Sequence, residues 1–286
     1  MVETIKSGHY PGSTSCSRVL GIYLSLILAG TLPQAWGQST PAATGNDTAL
    51  SSAKPSSVQN AERPVSWKLL IPNIVHDQKP IWLFPAKVVK GQHLKPVVGL
   101  TLATAGLVAL DPYDAPYFRR TTSFNGFNKT FSGKNTELAS AIVPLSFYAV
   151  GLARDDRYAQ QTSLLAGEAV VDAEILTSVM KDIGRRLLPS EIPPNGDFSH
   201  TWFKAHVTLS RGVSSFPSGH GIAAFSIATV FANRYRRHRW VPWVAYGLAG
   251  LVGFSRIPLQ AHFPSDVFAG GVLGYAISHY VVLRQQ

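Results

Sequence analysis

The chain has 286 residues, of which 45% are hydrophobic and only 15% are charged, and its formal net charge is +10. This length suffices for one complete core with a tail, and so few charges are typical of a largely buried helical protein or of a membrane protein. The positive charge favours anionic ligands, but because basic residues are scattered outside the run at 234–239, we do not expect a nucleic-acid-binding protein.

The N-terminal segment 1–37 has the pattern of an export signal. Lys6 and Arg18 precede an apolar run at 19–32, and small residues at 35–37 offer a cleavage site. The apolar run is too short to cross a bilayer comfortably. Cleavage would remove the only cysteine, so neither disulfides nor cysteine catalysis is expected. We therefore expect an exported protein of the periplasm or cell envelope, with an uncleaved membrane anchor as the alternative.

Two segments separate this signal from the main part of the chain. Residues 38–65 are rich in Ser, Thr, Ala, Pro and Asn and lack a periodic apolar pattern, which predicts a flexible linker. Residues 66–94 carry the aromatic side chains of Trp67, Trp82 and Phe84. These aromatic residues predict an ordered lead-in that packs against the main domain.

The remaining segment, 95–286, is predicted to be one all-α domain with about six core helices. Each helix corresponds to an apolar run; the runs are at 96–110, 139–153, 163–180, 217–233, 240–254 and 266–283. The intervening segment 111–138 includes Asp111 and Arg119 and is predicted to be a long loop that covers a cleft. The domain is therefore expected to be a helical bundle in which the loops carry the polar residues.

Several features of the apolar runs argue against a set of membrane-spanning helices. The runs are short, and the third contains Glu168, Asp172 and Glu174, which would be costly in hydrocarbon. If the signal exports the chain, six spans would also place the basic run 234–239 outside, against the positive-inside tendency. We therefore favour an exported helical domain that rests on a membrane surface, with a spanning topology as the close alternative. The basic run is interpreted as a helix-terminal loop, or alternatively as a patch facing phospholipid.

Two blocks of sequence carry residues suited to holding a phosphate ester. The run 216–220 reads Phe-Pro-Ser-Gly-His, in which Gly219 allows backbone N–H groups to close around an anion at a helix N-terminus. Further along, Arg256 lies six residues before His262, and Asp266 lies four residues after it. Because four residues are about one helical turn, the carboxylate can reach back and fix the tautomer of the imidazole.

These blocks resemble the signature of the type 2 phosphatidic acid phosphatase (PAP2) and vanadium haloperoxidase superfamily. In that signature Pro-Ser-Gly-His is followed by Ser-Arg, five residues, His, three residues and Asp. The first of these two blocks is complete at 217–220, and the second is complete as Ser255, Arg256, His262 and Asp266. The chain resembles a bacterial, exported, phosphatase-like member over roughly residues 95–286, which implies a helical bundle.

A third block of the signature, Lys, six residues and Arg-Pro, is incomplete. Lys181 and Pro189 are in place, but the arginine position holds Leu188. Arg185 and Arg186 lie only two or three residues away, and we expect one of them to supply the missing cation.

The resemblance implies a role for each residue. His262 would attack phosphorus and form a phosphohistidine, Asp266 would orient it, and His220 would protonate the leaving alkoxide. The expected phosphate-binding residues are Lys181, Arg256, Ser218, Gly219, Arg185 and Arg186. No metal site is expected, because the cations are built in and no zinc-type spacing is present.

The sequence therefore predicts a metal-independent phosphatase without a cofactor. Its substrate would be a phosphomonoester or a pyrophosphate, with a lipid as one candidate and a membrane surface as a further partner. One alternative is a vanadium-dependent haloperoxidase, because the same pocket could hold vanadate. The other is a pseudophosphatase that binds anionic lipid, which the leucine at position 188 motivates. The pattern does not indicate an oligomeric state.

Overall fold

A computed structural model describes residues 63–205 and 214–284, so the expected signal segment and nearly all of the expected linker lie outside the described residues. Over these ranges the chain contains helices and turns but no strand. The α-helices are α1 (Leu70–Val89), α2 (Leu94–Arg120), α3 (Asn125–Thr130), α4 (Gly133–Ala153), α5 (Arg157–Gly184), α6 (Gly219–Arg234), α7 (Trp240–Ser255) and α8 (Pro264–Ile277). Short 3-10 turns occur at Trp67–Leu69 and Pro189–Glu191, and a π-helical turn at Ser278–Val282 continues α8. The all-α prediction is confirmed.

The prediction of a long loop at 111–138 is wrong. Helix α2 continues to Arg120 with Pro112 and Pro116 inside it, α3 follows, and α4 begins at Gly133. The charge of Asp111 suggested a solvent-exposed segment, but this side chain is fully buried against Arg186. A buried ion pair thus allows a helix where the charged residues favoured a loop.

Helix α6 lies at the centre of the bundle, because it packs against α5, α7 and α8. Its small and apolar residues let these neighbours approach closely, and Ile222 and Val230 are completely buried. The approach to α8 is the tightest, since a Cβ at Gly274 would lie only 2.5 Å from the carbonyl oxygen of Ile222. Only glycine fits this contact without displacing one of the two helices.

The 66–94 segment is mostly helical and docks on α5 through polar contacts. Gln78 of α1 donates a hydrogen bond of 2.8 Å to Oδ1 of Asp172. Trp67 packs edge-on against Tyr148 of α4, although the side chains of Trp67, Trp82 and Phe84 all remain exposed. The aromatic side chains of this segment are therefore not buried against the bundle.

Helices α2 and α4 are long and apolar enough to cross a membrane by length and composition, with a mean hydropathy of 1.4 for each. In the most apolar 18-residue stretch of each helix, only 6% of α2 and 22% of α4 is buried. The prediction that every apolar run is a core helix is therefore wrong for α2. Its apolar residues are distributed around the whole helix, so a single packing face cannot bury them.

The contact between α6 and α8 predicts opposite effects of two glycine substitutions. Gly274→Ala should lower the midpoint of thermal unfolding by several degrees, because forcing a methyl group into packed backbone costs about 1–3 kcal/mol. In the matched control, Gly247→Ala on α7, no heavy atom lies within 4 Å of the new Cβ. The control should unfold at or slightly above the wild-type temperature, since alanine favours a helix. Equal midpoints for the two variants, measured by circular dichroism in detergent, would contradict this account.

Candidate active site

The predicted site residues come from four helices and converge at one end of the bundle. Lys181 lies in the last turn of α5, the Ser-Gly-His run begins α6, Arg256 follows α7, and His262 precedes α8. The Nζ atom of Lys181 lies 3.5 Å from the position that a Cβ of Gly219 would occupy. We call the space bounded by Lys181, the first turn of α6, Arg256 and His262 the cradle.

The first turn of α6 forms one wall of the cradle. Ser218 is the N-cap of this helix, and its buried hydroxyl accepts a hydrogen bond from the N–H of Gly221 at 3.3 Å. The backbone N–H of Ser218 donates to the carbonyl of Asp266 at 3.0 Å, which fixes the helix start against α8. The positive end of the helix dipole is thereby held next to Gly219 and His220, where an anion is stabilised.

Arg256 and His220 meet at the start of α4. The Nε2 atom of His220 lies 3.4 Å from the carbonyl oxygen of Gly133, and a Cβ at Gly133 would lie 3.5 Å from Nη1 of Arg256. The Arg256 guanidinium also donates to the hydroxyl of Ser255 and the carbonyl of Phe131. Burial lowers the pKa of Arg256 to about 10, so the side chain remains a cation at neutral pH.

His262 is buried and held by a backbone carbonyl. Its Nδ1 atom lies 2.7 Å from the carbonyl oxygen of Ser215. Because a carbonyl can only accept, Nδ1 carries the proton, and Nε2 of a neutral imidazole is left with its lone pair. Burial, followed by the charges of Lys181, His220 and Arg256, lowers the pKa of His262 to about 3, so the ring is neutral near pH 7.

The carboxylate of Asp266 acts on His262 less directly than the spacing predicted. The shortest separation, from Oδ2 to Nδ1 of His262, is 4.0 Å. The same oxygen accepts hydrogen bonds from the hydroxyl of Ser215 and the N–H of Phe263. Asp266 therefore positions Ser215, whose carbonyl orients the imidazole. Sequence motifs missed Ser215 because this contact goes through its backbone.

Arg186 does not supply the missing cation of the cradle, so the prediction that it binds phosphate is wrong in this structure. Its guanidinium is buried and bonded to Asp111 and Asp266, each at 2.6 Å, and to Ser265 and Thr201. These contacts engage all three of its nitrogen atoms. Because they are satisfied by protein groups, Arg186 is a structural cation.

The other two residues near this position do not replace it either. Arg185 is exposed at the C-terminus of α5, and its Nε donates to the carbonyl of Ala205 at 3.0 Å. Leu188 is half-buried, and its N–H donates to the carboxylate of Glu191. Among the described residues, the cations placed at the cradle are therefore Lys181 and Arg256.

Two carboxylates that the sequence analysis did not assign lie at the cradle. Glu174 is two helical turns before Lys181 on α5, and its Oε1 is 3.2 Å from the Cβ position of Gly219. Glu137, on α4, is exposed and acts electrostatically on His220. The seven-residue spacing of Glu174 and Lys181 was visible in the sequence, but such pairs are common on helix surfaces.

Asp77, Glu168 and Asp172 form a separate cluster, between α1 and α5. One ligand oxygen from each lies within 4.8 Å of the others, a spacing that could hold a metal ion. Arg63 is paired with both Asp77 and Glu168, and Gln78 donates to Asp172. Protein groups therefore occupy much of the coordination capacity of this cluster.

Comparison with known proteins identifies the part of the chain that carries this site. Residues 162–286 match the family model of the PAP2 superfamily. These residues supply Lys181, the Ser-Gly-His run, Arg256, His262 and Asp266. The part of the chain that carries the site is therefore similar to the PAP2 superfamily.

Several characterised relatives are phosphatases. The lipid A 1-phosphatase of Rhizobium etli is 33% identical over 105 residues, which are 37% of this chain and 42% of that protein. The lipid A 4′-phosphatase of Porphyromonas gingivalis is 29% identical over 108 residues, which are 38% of this chain and 44% of that protein. The chain thus spans less than half the length of either relative.

Two further similarities are a shorter sequence match and a solved structure. The probable diacylglycerol pyrophosphate phosphatase 1 of Schizosaccharomyces pombe is 35% identical over 89 residues, which are 27% of this chain and 32% of that protein. Among solved structures, the first transmembrane PAP2 type phosphatidylglycerolphosphate phosphatase from Bacillus subtilis is 24% identical, with a TM-score of 0.46. That similarity covers 64% of this chain and 92% of the bacterial one.

The buried contacts of Arg186 predict that its removal affects stability. Arg186→Met should lower the free energy of unfolding by about 3–5 kcal/mol, because it leaves two buried carboxylates without their cation. Arg185→Ala is the matched control, with an expected change of at most about 1 kcal/mol. Thermal and denaturant unfolding of both variants would measure this. A stable Arg186→Met protein with weakened phosphate affinity would instead support a direct contact with phosphate.

Proposed function

We propose that the chain is a membrane-associated, metal-independent phosphatase that hydrolyses a lipid phosphomonoester or pyrophosphate through a phosphohistidine. The observation that carries this proposal is the state of His262, a neutral imidazole whose Nδ1 is held by a carbonyl and whose Nε2 is free to attack. Lys181, His220 and Arg256 all act electrostatically on this ring. A nucleophile among cations and a second histidine matches the needs of phosphoryl transfer.

In the first step the cradle binds and neutralises the phosphoryl group. Lys181 and Arg256 contact its oxygens, and the N-terminus of α6 stabilises its negative charge. The lone pair on Nε2 of His262 then forms a bond to phosphorus as the bond to the leaving oxygen breaks. His220 donates a proton to that oxygen, which leaves as an alcohol or a phosphate.

The second step regenerates the enzyme. His220, now neutral, takes a proton from a water molecule whose oxygen attacks phosphorus. The bond between phosphorus and Nε2 of His262 breaks, and inorganic phosphate is released. Burial, followed by the charge of Arg256, lowers the pKa of His220, so the empty site holds it neutral. The negative charge of the bound substrate favours the protonated form needed for the first step.

An apolar groove between α4, α6 and α7 supports a lipid substrate. It begins at Thr136, one turn after the residue that contacts His220 and Arg256, and it is lined by Phe147, Phe231, Trp240 and Val252. An acyl chain in this groove would place its phosphate in the cradle. The exposed apolar surfaces of α2 and α4 support placing these helices in a membrane.

Replacement of His262 tests the covalent step. His262→Ala should reduce turnover of phosphatidic acid by roughly a thousandfold or more, because the attacking nitrogen is removed. Wild-type enzyme quenched in acid-free denaturant after mixing with ³²P-labelled substrate should carry label, and the variant should not. His200→Ala, an exposed histidine outside the cradle, is the matched control and should retain both activities. Substantial turnover by purified His262→Ala would contradict the proposed mechanism.

The built-in cations predict that turnover needs no divalent metal. Chelators should leave the rate unchanged, and vanadate should inhibit competitively, because it resembles the transferred phosphoryl group. Activity that a chelator removes and magnesium restores would contradict this prediction. Bromide oxidation by the vanadate-loaded protein would favour the haloperoxidase alternative.

A further inference from the structure

The carboxylate of Glu174 lies at the cradle but takes no part in the steps above. Its Oε1 and Oε2 atoms are 3.2 and 3.7 Å from the Cβ position of Gly219, and Nζ of Lys181 is 3.5 Å from the same point. A carboxylate and a cation therefore both face the helix N-terminus that would hold a phosphate. A negative group at an anion site requires a physical explanation.

The charge balance of the cradle indicates what Glu174 must do when phosphate binds. Among the residues that the structure describes, its permanent cations are Lys181 and Arg256, because the arginine position holds Leu188 and the charge of Arg186 is compensated by buried carboxylates. A doubly charged phosphate beside an ionised Glu174 would place three negative charges against two positive ones. A proton on His220 would offset the excess negative charge, but only a proton on Glu174 removes the repulsion between its carboxylate and the phosphoryl oxygens beside it.

We propose that Glu174 takes up a proton when phosphate binds and then donates a hydrogen bond to a phosphoryl oxygen. The inference rests on the proposed function, because it requires the phosphate group to occupy the cradle. Glu174 thereby determines the charge of the group that the site binds. The site binds a doubly charged group together with a proton, or a singly charged group without one. The proton comes from solvent and returns to it when phosphate leaves.

The surroundings of Glu174 favour the protonated form of its carboxyl group. Burial raises the pKa of its carboxyl group, and the charge of Lys181 opposes this effect. From α6 and α8, His220 and His262 flank Lys181, and burial keeps both neutral in the empty site. Other charged groups on the packed helices have partners of their own.

Those other groups are the carboxylates of α1 and α4. Asp77 on α1 is bonded to Arg63, and its neighbour across the interface, Asp172, accepts from Gln78. Glu137 on α4 acts on His220. Lys181 is thus the charge that opposes protonation of Glu174, and a bound dianion would counter it.

Because dianion binding and protonation of Glu174 are coupled, the affinity for a dianion depends on pH. Binding a dianion raises the pKa of Glu174, so binding takes up a proton wherever the free carboxyl is ionised. Below the pKa of the free carboxyl, affinity for a dianion is independent of Glu174. Above it, affinity falls by up to about tenfold per pH unit until the pKa of the bound state is reached.

Sulfate is the probe of choice, because it stays doubly charged and so contributes no proton of its own over the pH range. Its dissociation constant is measured by titration calorimetry on the full chain in detergent, from mildly acidic to alkaline pH. Glu174→Gln cannot ionise, and its amide N–H can donate the same hydrogen bond. Asp182→Asn removes an exposed carboxylate from the last turn of α5 and is the matched control.

We expect the wild type and Asp182→Asn to lose sulfate affinity with rising pH, by tenfold or more above the pKa of the free Glu174 carboxyl. Glu174→Gln should bind more tightly than wild type in that range, with a shallower slope. The histidines contribute equally to all three proteins, so the difference isolates Glu174. Equal slopes in Glu174→Gln and wild type would overturn the role of Glu174 while leaving the phosphatase proposal intact. A wild type that neither binds sulfate nor hydrolyses phosphatidic acid would overturn both.

Discussion

The site depends on one buried arginine that joins three parts of the chain. Arg186, in the loop after α5, bonds to Asp111 of α2 and Asp266 of α8, and it lies between the rings of Trp202 and Phe263, 4.8 and 4.0 Å from their centroids. Because Arg186 holds one oxygen of Asp266, the other can bind Ser215, whose carbonyl sets the tautomer of the His262 imidazole. The ion network thus stabilises the fold and indirectly orients the His262 ring.

Local patterns predicted the helices and the two complete motif blocks, but not the contacts that cross the bundle. Periodicity located α4 to α8, and the motif spacing identified His220, Arg256 and His262. The role of Arg186 could not be deduced, because its partner Asp111 is 75 residues away and was expected in a loop. Glu174 was noted only as a charge that argued against a spanning helix. Its role depends on which side of α5 faces Gly219, and the sequence does not show this.

The low charge content and the position of the cradle have a common explanation. Helices α2 and α4 expose apolar surface along most of their length, whereas the polar groups of the site converge where α4 begins and α5 ends. An amphiphilic substrate has the same division between a charged end and an apolar one. The apolar groove is lined by Thr136 and Phe147 of α4 and by Trp240 and Val252 of α7, and these helices carry Gly133 and Arg256 at the ends that meet at the cradle.

The incomplete motif block and the extra carboxylate are most simply understood together. Leucine at position 188 removes a cation that the superfamily signature places at the phosphate, and Glu174 adds a group that is neutral only when protonated. A third permanent cation at the phosphate would stabilise a dianion without any proton uptake. With Lys181 and Arg256 as the permanent cations among the described residues, a proton on Glu174 removes the repulsion between its carboxylate and a bound dianion. The departure at position 188 therefore need not weaken the site, because it changes the proton count with which phosphate binds.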